Sequence, residues 1–117
     1  VAAGALGVCC AKLGEAEAMA AGGIESILIT SPVVTAQGIE RLIALNAKLP
    51  DLMVVVDNPE NARALAAAAA DEKRTLKVLV DLDVGLHRTG IRPCADATDL
   101  AELLDAAEFL ELRGLQA

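Results

Sequence analysis

The chain has 117 residues, of which 55% are apolar and only one is aromatic, and its formal net charge is −7. This length accommodates one domain with a core but not two, and the apolar content excludes a disordered chain. The acidic balance, without a Lys/Arg cluster, argues against a nucleic-acid partner and against a membrane surface, because both ligands present phosphates to basic side chains.

The mean hydropathy of +0.49 raises the question of a membrane span. No apolar run approaches the roughly 20 residues that a spanning helix needs. The apolar start of the chain lacks a basic leader, so a signal peptide is not expected. The protein is therefore expected to be cytoplasmic. The chain begins at Val1 rather than at Met, which suggests a piece of a longer protein. The cysteines Cys9, Cys10 and Cys94 lack metal-ligand spacing and are expected to be buried, reduced thiols.

Five short apolar runs alternate along the chain with stretches of helical character. The runs predict strands at Gly7–Ala11, Ser26–Thr30, Leu52–Asp57, Leu76–Val84 and Leu112–Ala117. The first helix is expected to start near Gly14 and to stop at Gly22 and Gly23. The next three are predicted over 36–48 (ending before Pro50), from a cap at Asp57 or Asn58 through 62–70, and over 100–107.

Strands and helices that alternate with short connections predict right-handed βαβ crossovers and a parallel sheet. An open doubly wound sheet and an arc of a (β/α)8 barrel both fit this alternation. The fourth run favours the barrel, because it places Leu79, Asp81 and Asp83 on one face, and carboxylates suit an interior that opens into a polar site. The opposite face is expected to lie under helices and carries Val78, Val80, Leu82 and Val84.

Polar residues stand at or just after the end of each predicted strand. They are Lys12, Thr30 with Ser31, Asp57, Asp83 and Gln116. In parallel α/β folds the ligand site lies at the carboxyl ends of the strands. These side chains are therefore the candidates for a shared site.

Four segments resemble the D-threonine aldolase and eukaryotic-type D-serine dehydratase family, in that family's order. The most specific is Lys77-Val-Leu-Val-Asp-Leu-Asp-Val-Gly-Leu-His-Arg-Thr-Gly-Ile. The others are Gly7-Val-Cys-Cys-Ala-Lys-Leu-Gly-Glu-Ala-Glu, Ile27-Leu-Ile-Thr-Ser-Pro-Val-Val and Gly114-Leu-Gln-Ala. Together they cover nearly the whole chain.

The resemblance implies a fold-type III barrel like that of alanine racemase, which binds pyridoxal 5′-phosphate (PLP). The chain would supply strands two to six within the N-terminal barrel domain over residues 1–117. The Schiff-base lysine and the ligands of a divalent metal would lie outside it. The resemblance further implies a small D-amino acid substrate and a homodimeric parent. It leaves aldolase, D-serine dehydratase and racemase chemistry open, with the motifs favouring aldolase.

By the same resemblance, Arg88 matches the arginine that approaches the pyridine nitrogen of PLP. An arginine cannot give up its proton, so the ring nitrogen would stay unprotonated. The cofactor-binding set expected in this chain is Arg88, Thr30, Asp57, Asp83 and Gln116, with no metal ligand and no Schiff-base lysine.

Each of these residues also has a purely structural interpretation. Arg88 could pair with Asp83 or Asp81 on a loop, and Asp57 could cap the following helix. Gln116 would point into the site only if the phase of the last strand places it there. His87 stands beside Arg88, where neighbouring side chains usually diverge, and a catalytic role is not favoured. Lys12 ends a strand as a Schiff-base lysine would, yet it follows the segment that carries the family lysine.

A phospho-receiver domain is the alternative from another functional class. Its size and acidity fit, and Asp57 after Val54-Val-Val would be the phospho-acceptor. The receiver needs an acidic pair after its first strand, where this chain has Cys10-Ala-Lys, and a lysine ending its fifth strand, where this chain has Gln116-Ala. The receiver is therefore the less favoured interpretation.

Overall fold

A computed structural model of the chain describes residues 2–117. It contains five strands and four helices in strict alternation. Their bounds are β1 Val8–Cys10, α1 Leu13–Ala21, β2 Ile27–Ile29, α2 Ala36–Lys48, β3 Met53–Val56, α3 Pro59–Glu72, β4 Leu76–Asp81, α4 Ala95–Ala106 and β5 Leu110–Gln116.

The strands form one parallel sheet in the order β1-β2-β3-β4-β5. Each strand therefore pairs with its neighbour in the chain, as in an arc of a (β/α)8 barrel. A doubly wound sheet would reverse direction at a switch point, and a receiver would follow the order 2-1-3-4-5. The barrel-arc prediction is confirmed, and the receiver is excluded by the strand order.

The helices cover one face of the sheet and bury its apolar side chains. Along β4 the covered residues are Leu76, Val78 and Val80, all fully buried. They join one core with Leu42, Leu65, Leu100 and Leu104 from the helices. Burial of this aliphatic surface is the main force that holds the layers together, at about 25 cal/mol per Å².

Two of the helices begin at a side-chain cap, and the cap of α3 was predicted from the sequence. The Thr35 hydroxyl accepts a hydrogen bond from the Gly38 amide (3.0 Å) and opens α2. The Asn58 carboxamide accepts one from the Glu60 amide (2.8 Å), with Pro59 at the first position of α3. Asn58, rather than Asp57, is therefore the α3 cap, and the carboxylate of Asp57 is left for another partner.

The fourth strand is shorter than predicted, because it ends at Asp81 instead of Val84. Leu82 still forms an isolated bridge with Ile91, but beyond it the chain turns away into the β4–α4 loop (residues 82–94). Val84 is 66% exposed, so its predicted position beneath helices is wrong. The backbone leaves the sheet here because the Asp83 side chain bonds backbone amides further along the loop.

The fifth strand contains an irregularity that sets the direction of its last residues. Val78 pairs with Leu112, but the next pair is Leu79 with Gly114, so Arg113 is an extra residue. A single extra residue inverts the side-chain alternation beyond it. As a result Gln116 stands opposite Asp81, on the sheet face that the helices do not cover.

Candidate functional site

A cavity of about 130 Å³ lies at the carboxyl ends of β4 and β5 and beneath the β4–α4 loop. It brings together Thr30, Asp81, Asp83, Arg88 and Gln116, among others. Four of the five residues predicted to bind a cofactor thus share one concavity. Asp57 does not line it, and the sequence reasoning had not placed Asp81 among the binding residues.

A much larger groove of about 580 Å³ runs between α2 and α3 on the outer surface. It is lined mostly by alanine and isoleucine side chains with an acidic rim. Ligand sites in this class of fold lie at the strand ends, so volume alone does not locate the site. The smaller cavity, which we call the strand-end cavity, has the polar groups that a ligand needs.

Thr30 and Gln116 offer hydrogen-bonding groups from β2 and β5. The Thr30 hydroxyl donates to the Cys10 carbonyl oxygen at 3.3 Å, which ties the ends of β1 and β2 together. The Gln116 Nε2 lies 3.5 Å from Asp81 Oδ1, at the outer limit of a hydrogen bond. Both side chains keep unused hydrogen-bonding capacity toward the cavity.

Asp81 is the most deeply buried charged residue of the site, with 3% of its surface exposed. Its Oδ1 faces Gln116, whereas its Oδ2 is buried without a hydrogen-bond partner among residues 2–117. A buried carboxylate oxygen without a donor is costly. Asp81 Oδ2 is therefore a buried acceptor that a hydrogen-bond donor would stabilise.

Asp83 holds the β4–α4 loop rather than facing the cavity with a free carboxylate. Its Oδ1 accepts hydrogen bonds from the Gly85 and His87 amides, both at 3.0 Å. Its Oδ2 lies 2.9 Å from His87 Nδ1. The Gly85 and His87 amides, in that order, lower the pKa of Asp83 below its ordinary value of 3.8.

The lowered pKa of Asp83 predicts how the loop responds to acid. A carboxyl group with a depressed folded-state pKa contributes stability above its unfolded pKa, and that contribution is lost as the pH falls through the folded pKa. We expect proteolysis within the loop to accelerate below about pH 4, and Asp83→Asn to show the faster cleavage already at neutral pH. Equal cleavage of both proteins at neutral pH would contradict this role.

Asp57 also acts on the loop. Its Oδ2 accepts a hydrogen bond from the Gly90 amide at 2.9 Å, across 33 positions of sequence. The loop contact occupies this oxygen, and Asp57 is not among the residues that line the strand-end cavity. The contact links the end of β3 to the loop that carries Arg88.

Substitutions at Asp57 can distinguish two roles of its carboxylate, which are to anchor the loop through the Gly90 amide and to contact a ligand. If Asp57 anchors the loop, Asp57→Asn keeps an acceptor oxygen for Gly90 and should retain most activity of the full-length protein. Asp57→Ala removes the acceptor and should lower kcat/KM about tenfold, the cost of one lost hydrogen bond to a charged group. Steady-state kinetics of both variants measure this. Equal losses would instead indicate that the charge itself contacts a ligand.

Arg88 lies between the two anchored amides of the loop, His87 N and Gly90 N. Its side chain lines the cavity, is exposed, and makes no ion pair with any residue of the described part of the chain. Neither pairing considered from the sequence, with Asp83 or with Asp81, is formed. The guanidinium is therefore free to meet an anionic or acceptor group.

Two residues singled out by the sequence lie outside the cavity. His87 has a backbone φ of +53° and its imidazole, 83% exposed, contacts Asp83, so it supports the loop. Lys12 is exposed at the start of α1 and does not line the cavity. Within residues 2–117 there is no cluster of His, Cys, Asp and Glu that could hold a metal ion. The three cysteines are free thiols, but only Cys10 is buried, so the burial expected of Cys9 and Cys94 is wrong. Burial raises the pKa of the Cys10 thiol.

The family of the chain follows from its match to known sequences. The model of the alanine racemase N-terminal domain matches residues 1–117. The chain belongs to this family. No helix within residues 2–117 of this alanine racemase-type domain has the length and apolar character needed to cross a bilayer.

Within the alanine racemase N-terminal family, the similar curated proteins include aldolases. The 3-hydroxy-D-aspartate aldolase of Paracoccus denitrificans is 37% identical over 97% of this chain, and the D-threonine aldolase of an Arthrobacter species is 34% identical over the same share. The match spans 30% of the length of either relative.

Solved structures resemble this alanine racemase-type chain at the level of the backbone. D-threonine aldolase from Filomicrobium marinum superposes with a TM-score of 0.94 at 36% identity, covering 98% of this chain and 31% of that one. D-threo-3-hydroxyaspartate dehydratase from Delftia sp. HT23 gives 0.77 at 31% identity, over 97% and 30% of the two chains. Alanine racemase of Clostridium difficile 630, at 0.77 and 21% identity over 92% and 28%, shares the fold.

Proposed function

We propose that the chain is part of the N-terminal barrel of a PLP-dependent aldolase that cleaves 3-hydroxy-D-amino acids. The observation that carries this proposal is the similarity to D-threonine aldolase over 98% of the chain, with a TM-score of 0.94 at 36% identity. Residues 1–117 would form one wall of the cofactor site, and the rest of the longer protein would supply the Schiff-base lysine and a divalent metal.

The residues of the strand-end cavity fit one side of such a cofactor. PLP carries a phosphate, a phenolic oxygen and a ring nitrogen, all of which take up hydrogen bonds. Arg88 provides a permanent cation with five donors, and Thr30 and Gln116 provide neutral polar groups. The cavity of about 130 Å³ has room for only a few waters, so these residues would contact one edge of the cofactor.

The overall reaction breaks the bond between Cα and Cβ of the substrate. The 3-hydroxyl loses its proton and becomes the carbonyl of an aldehyde, while Cα gains a proton and leaves as glycine. When bound, PLP supplies the sink for the electron pair that the broken bond leaves on Cα. By the family resemblance, Arg88 would lie against the ring nitrogen, and a guanidinium there would leave that nitrogen unprotonated and so moderate the sink.

The remaining residues of the chain position Arg88. Asp83 and Asp57 fix the loop backbone on either side of it through the His87 and Gly90 amides. Fixed placement of a charged group before the reaction is a main source of electrostatic catalysis. We extend the proposal to a homodimeric protein of the cytoplasm, on the basis of the family resemblance.

The test uses the full-length protein with PLP and a divalent metal, and D-threonine or D-3-hydroxyaspartate as substrate. An aldolase releases glycine and an aldehyde in equal amounts, with the L-isomers as inert controls. A 2-oxo acid with ammonia would instead establish a dehydratase, and interconversion of D- and L-alanine a racemase. Borohydride reduction followed by peptide mapping should place the PLP label on a lysine other than Lys12.

A further inference from the structure

The strand-end cavity contains an unsatisfied acceptor and an unpaired cation. Asp81 Oδ2 is buried without a partner, on a residue that is 3% exposed. Arg88 lines the same cavity without an ion pair. The other basic side chains without an ion pair in residues 2–117 do not line this cavity: Lys12, Lys48, Arg63, Lys73 and Arg74.

We propose that Asp81 is a positioning residue for Arg88, and that its free Oδ2 receives the Arg88 guanidinium in the complete protein. The paired guanidinium would keep its remaining donors for the ligand. The assignment of that ligand as PLP rests on the proposed function, whereas the pairing itself does not.

Three features of the structure support the pair. The loop backbone is held on both sides of Arg88 by Asp83 and Asp57, which keeps the arginine beside the cavity that Asp81 also lines. The cavity is small enough that its lining side chains are near neighbours, at about 130 Å³. Gln116 approaches only Oδ1, at 3.5 Å, and leaves Oδ2 to another donor.

Electrostatics favours the paired arrangement of Asp81 and Arg88 over the unpaired one. Pairing immobilises the arginine side chain and so costs conformational entropy. A carboxylate is expensive to bury without a partner, and arginine suits such pairs because its fork of donors is planar and weakly hydrated.

A double-mutant cycle in the full-length protein without added ligand tests the pair through thermal stability. Arg88→Gln should lower the Tm, because it leaves the buried Asp81 charge without a partner. Adding Asp81→Asn to Arg88→Gln should recover much of the loss. Arg92→Gln is the matched control, since Arg92 is an exposed arginine of the same loop whose only ion pair, with Asp96, is also exposed. It should leave the Tm unchanged.

Steady-state kinetics then tests whether the Asp81–Arg88 pair contributes to catalysis. Asp81→Asn should lower kcat/KM about tenfold and shift the visible spectrum of bound PLP. In the Arg88→Gln background the same substitution should have less than about a twofold effect, because its target is gone. Arg88→Lys keeps the positive charge but loses the planar set of guanidinium donors. Its kcat/KM should lie between the values of the wild type and of Arg88→Gln.

The outcomes separate this proposal from the proposed function. An unchanged Tm in Arg88→Gln, or singles whose effects simply add in the double variant, would overturn the pair even in an active aldolase. A coupled Tm in a protein that cleaves no 3-hydroxy-D-amino acid would uphold the pair and reject the aldolase.

Discussion

Replacing Arg88 by glutamate in the full-length protein is expected to lower kcat/KM for 3-hydroxy-D-amino acid cleavage by at least about 100-fold. The substitution removes a cation that lines the strand-end cavity and adds a carboxylate to a cavity that Asp81 and Asp83 already line. Like charges that share one site repel each other. Steady-state kinetics and titration of PLP binding measure the effect.

Lys48→Glu is the control for charge reversal. Lys48 is exposed in the last turn of α2 and does not line the strand-end cavity. The Lys48→Glu substitution should lower the free energy of unfolding by only a few tenths of a kcal/mol, through the interaction of the new charge with the helix dipole. It should change kcat/KM less than about twofold. Similar losses from both reversals would indicate a general effect of charge, and would contradict the assignment of Arg88 to the site.

Gly90→Ala is expected to be the most damaging single-methyl change in the β4–α4 loop. Gly90 has a φ of +108°, and a Cβ added there would meet the Asp83 amide nitrogen at 2.5 Å and the Leu82 carbonyl carbon at 2.6 Å. Both atoms belong to the backbone and cannot move aside. The displaced amide would also lose its bond to Asp57. We expect a loss of about 2–4 kcal/mol in the free energy of unfolding.

Gly85→Ala separates backbone strain from collision. Gly85 lies in the same loop with a φ of +141°, but no atom lies within 4 Å of an added Cβ. Its cost should be the backbone strain alone, toward the lower end of the about 1–3 kcal/mol typical of such conformations. Denaturant unfolding of both variants gives the comparison, and kcat/KM should fall with Gly90→Ala because Arg88 follows the loop. Equal destabilisation by the two substitutions would show that the contact at Gly90 is not tight.

Local chemistry made much of the architecture predictable. Apolar runs of strand length, the helix cap at Asn58 and the helix stop at Gly22 act within a few residues, so the order of elements follows from the sequence. The polar strand ends identified the edge of the sheet where the cavity lies, because parallel strands share their carboxyl edge. The family resemblance added the barrel order that alternation alone left open.

Contacts between distant residues decided the rest. Val84 was assigned to β4 by its alternation, but the Asp83 carboxylate bonds two loop amides and ends the strand earlier. The cofactor-binding role of Asp57 stays a prediction, and the structure adds that its Oδ2 accepts a hydrogen bond from the Gly90 amide, 33 residues away. Nothing in the local sequence around Asp57 distinguishes these two uses of a carboxylate.

The alternation of strands and helices, the aliphatic core and the polar edge can be predicted from the sequence, because periodicity, propensity and capping are local properties. The directions of the polar side chains depend instead on contacts between distant strands. The extra residue at Arg113 inverts the phase of β5 and turns Gln116 toward Asp81. The register between two strands depends on their pairing. The burial of Asp81 Oδ2 and the cavity that Asp81 shares with Arg88 therefore cannot be predicted from either segment alone.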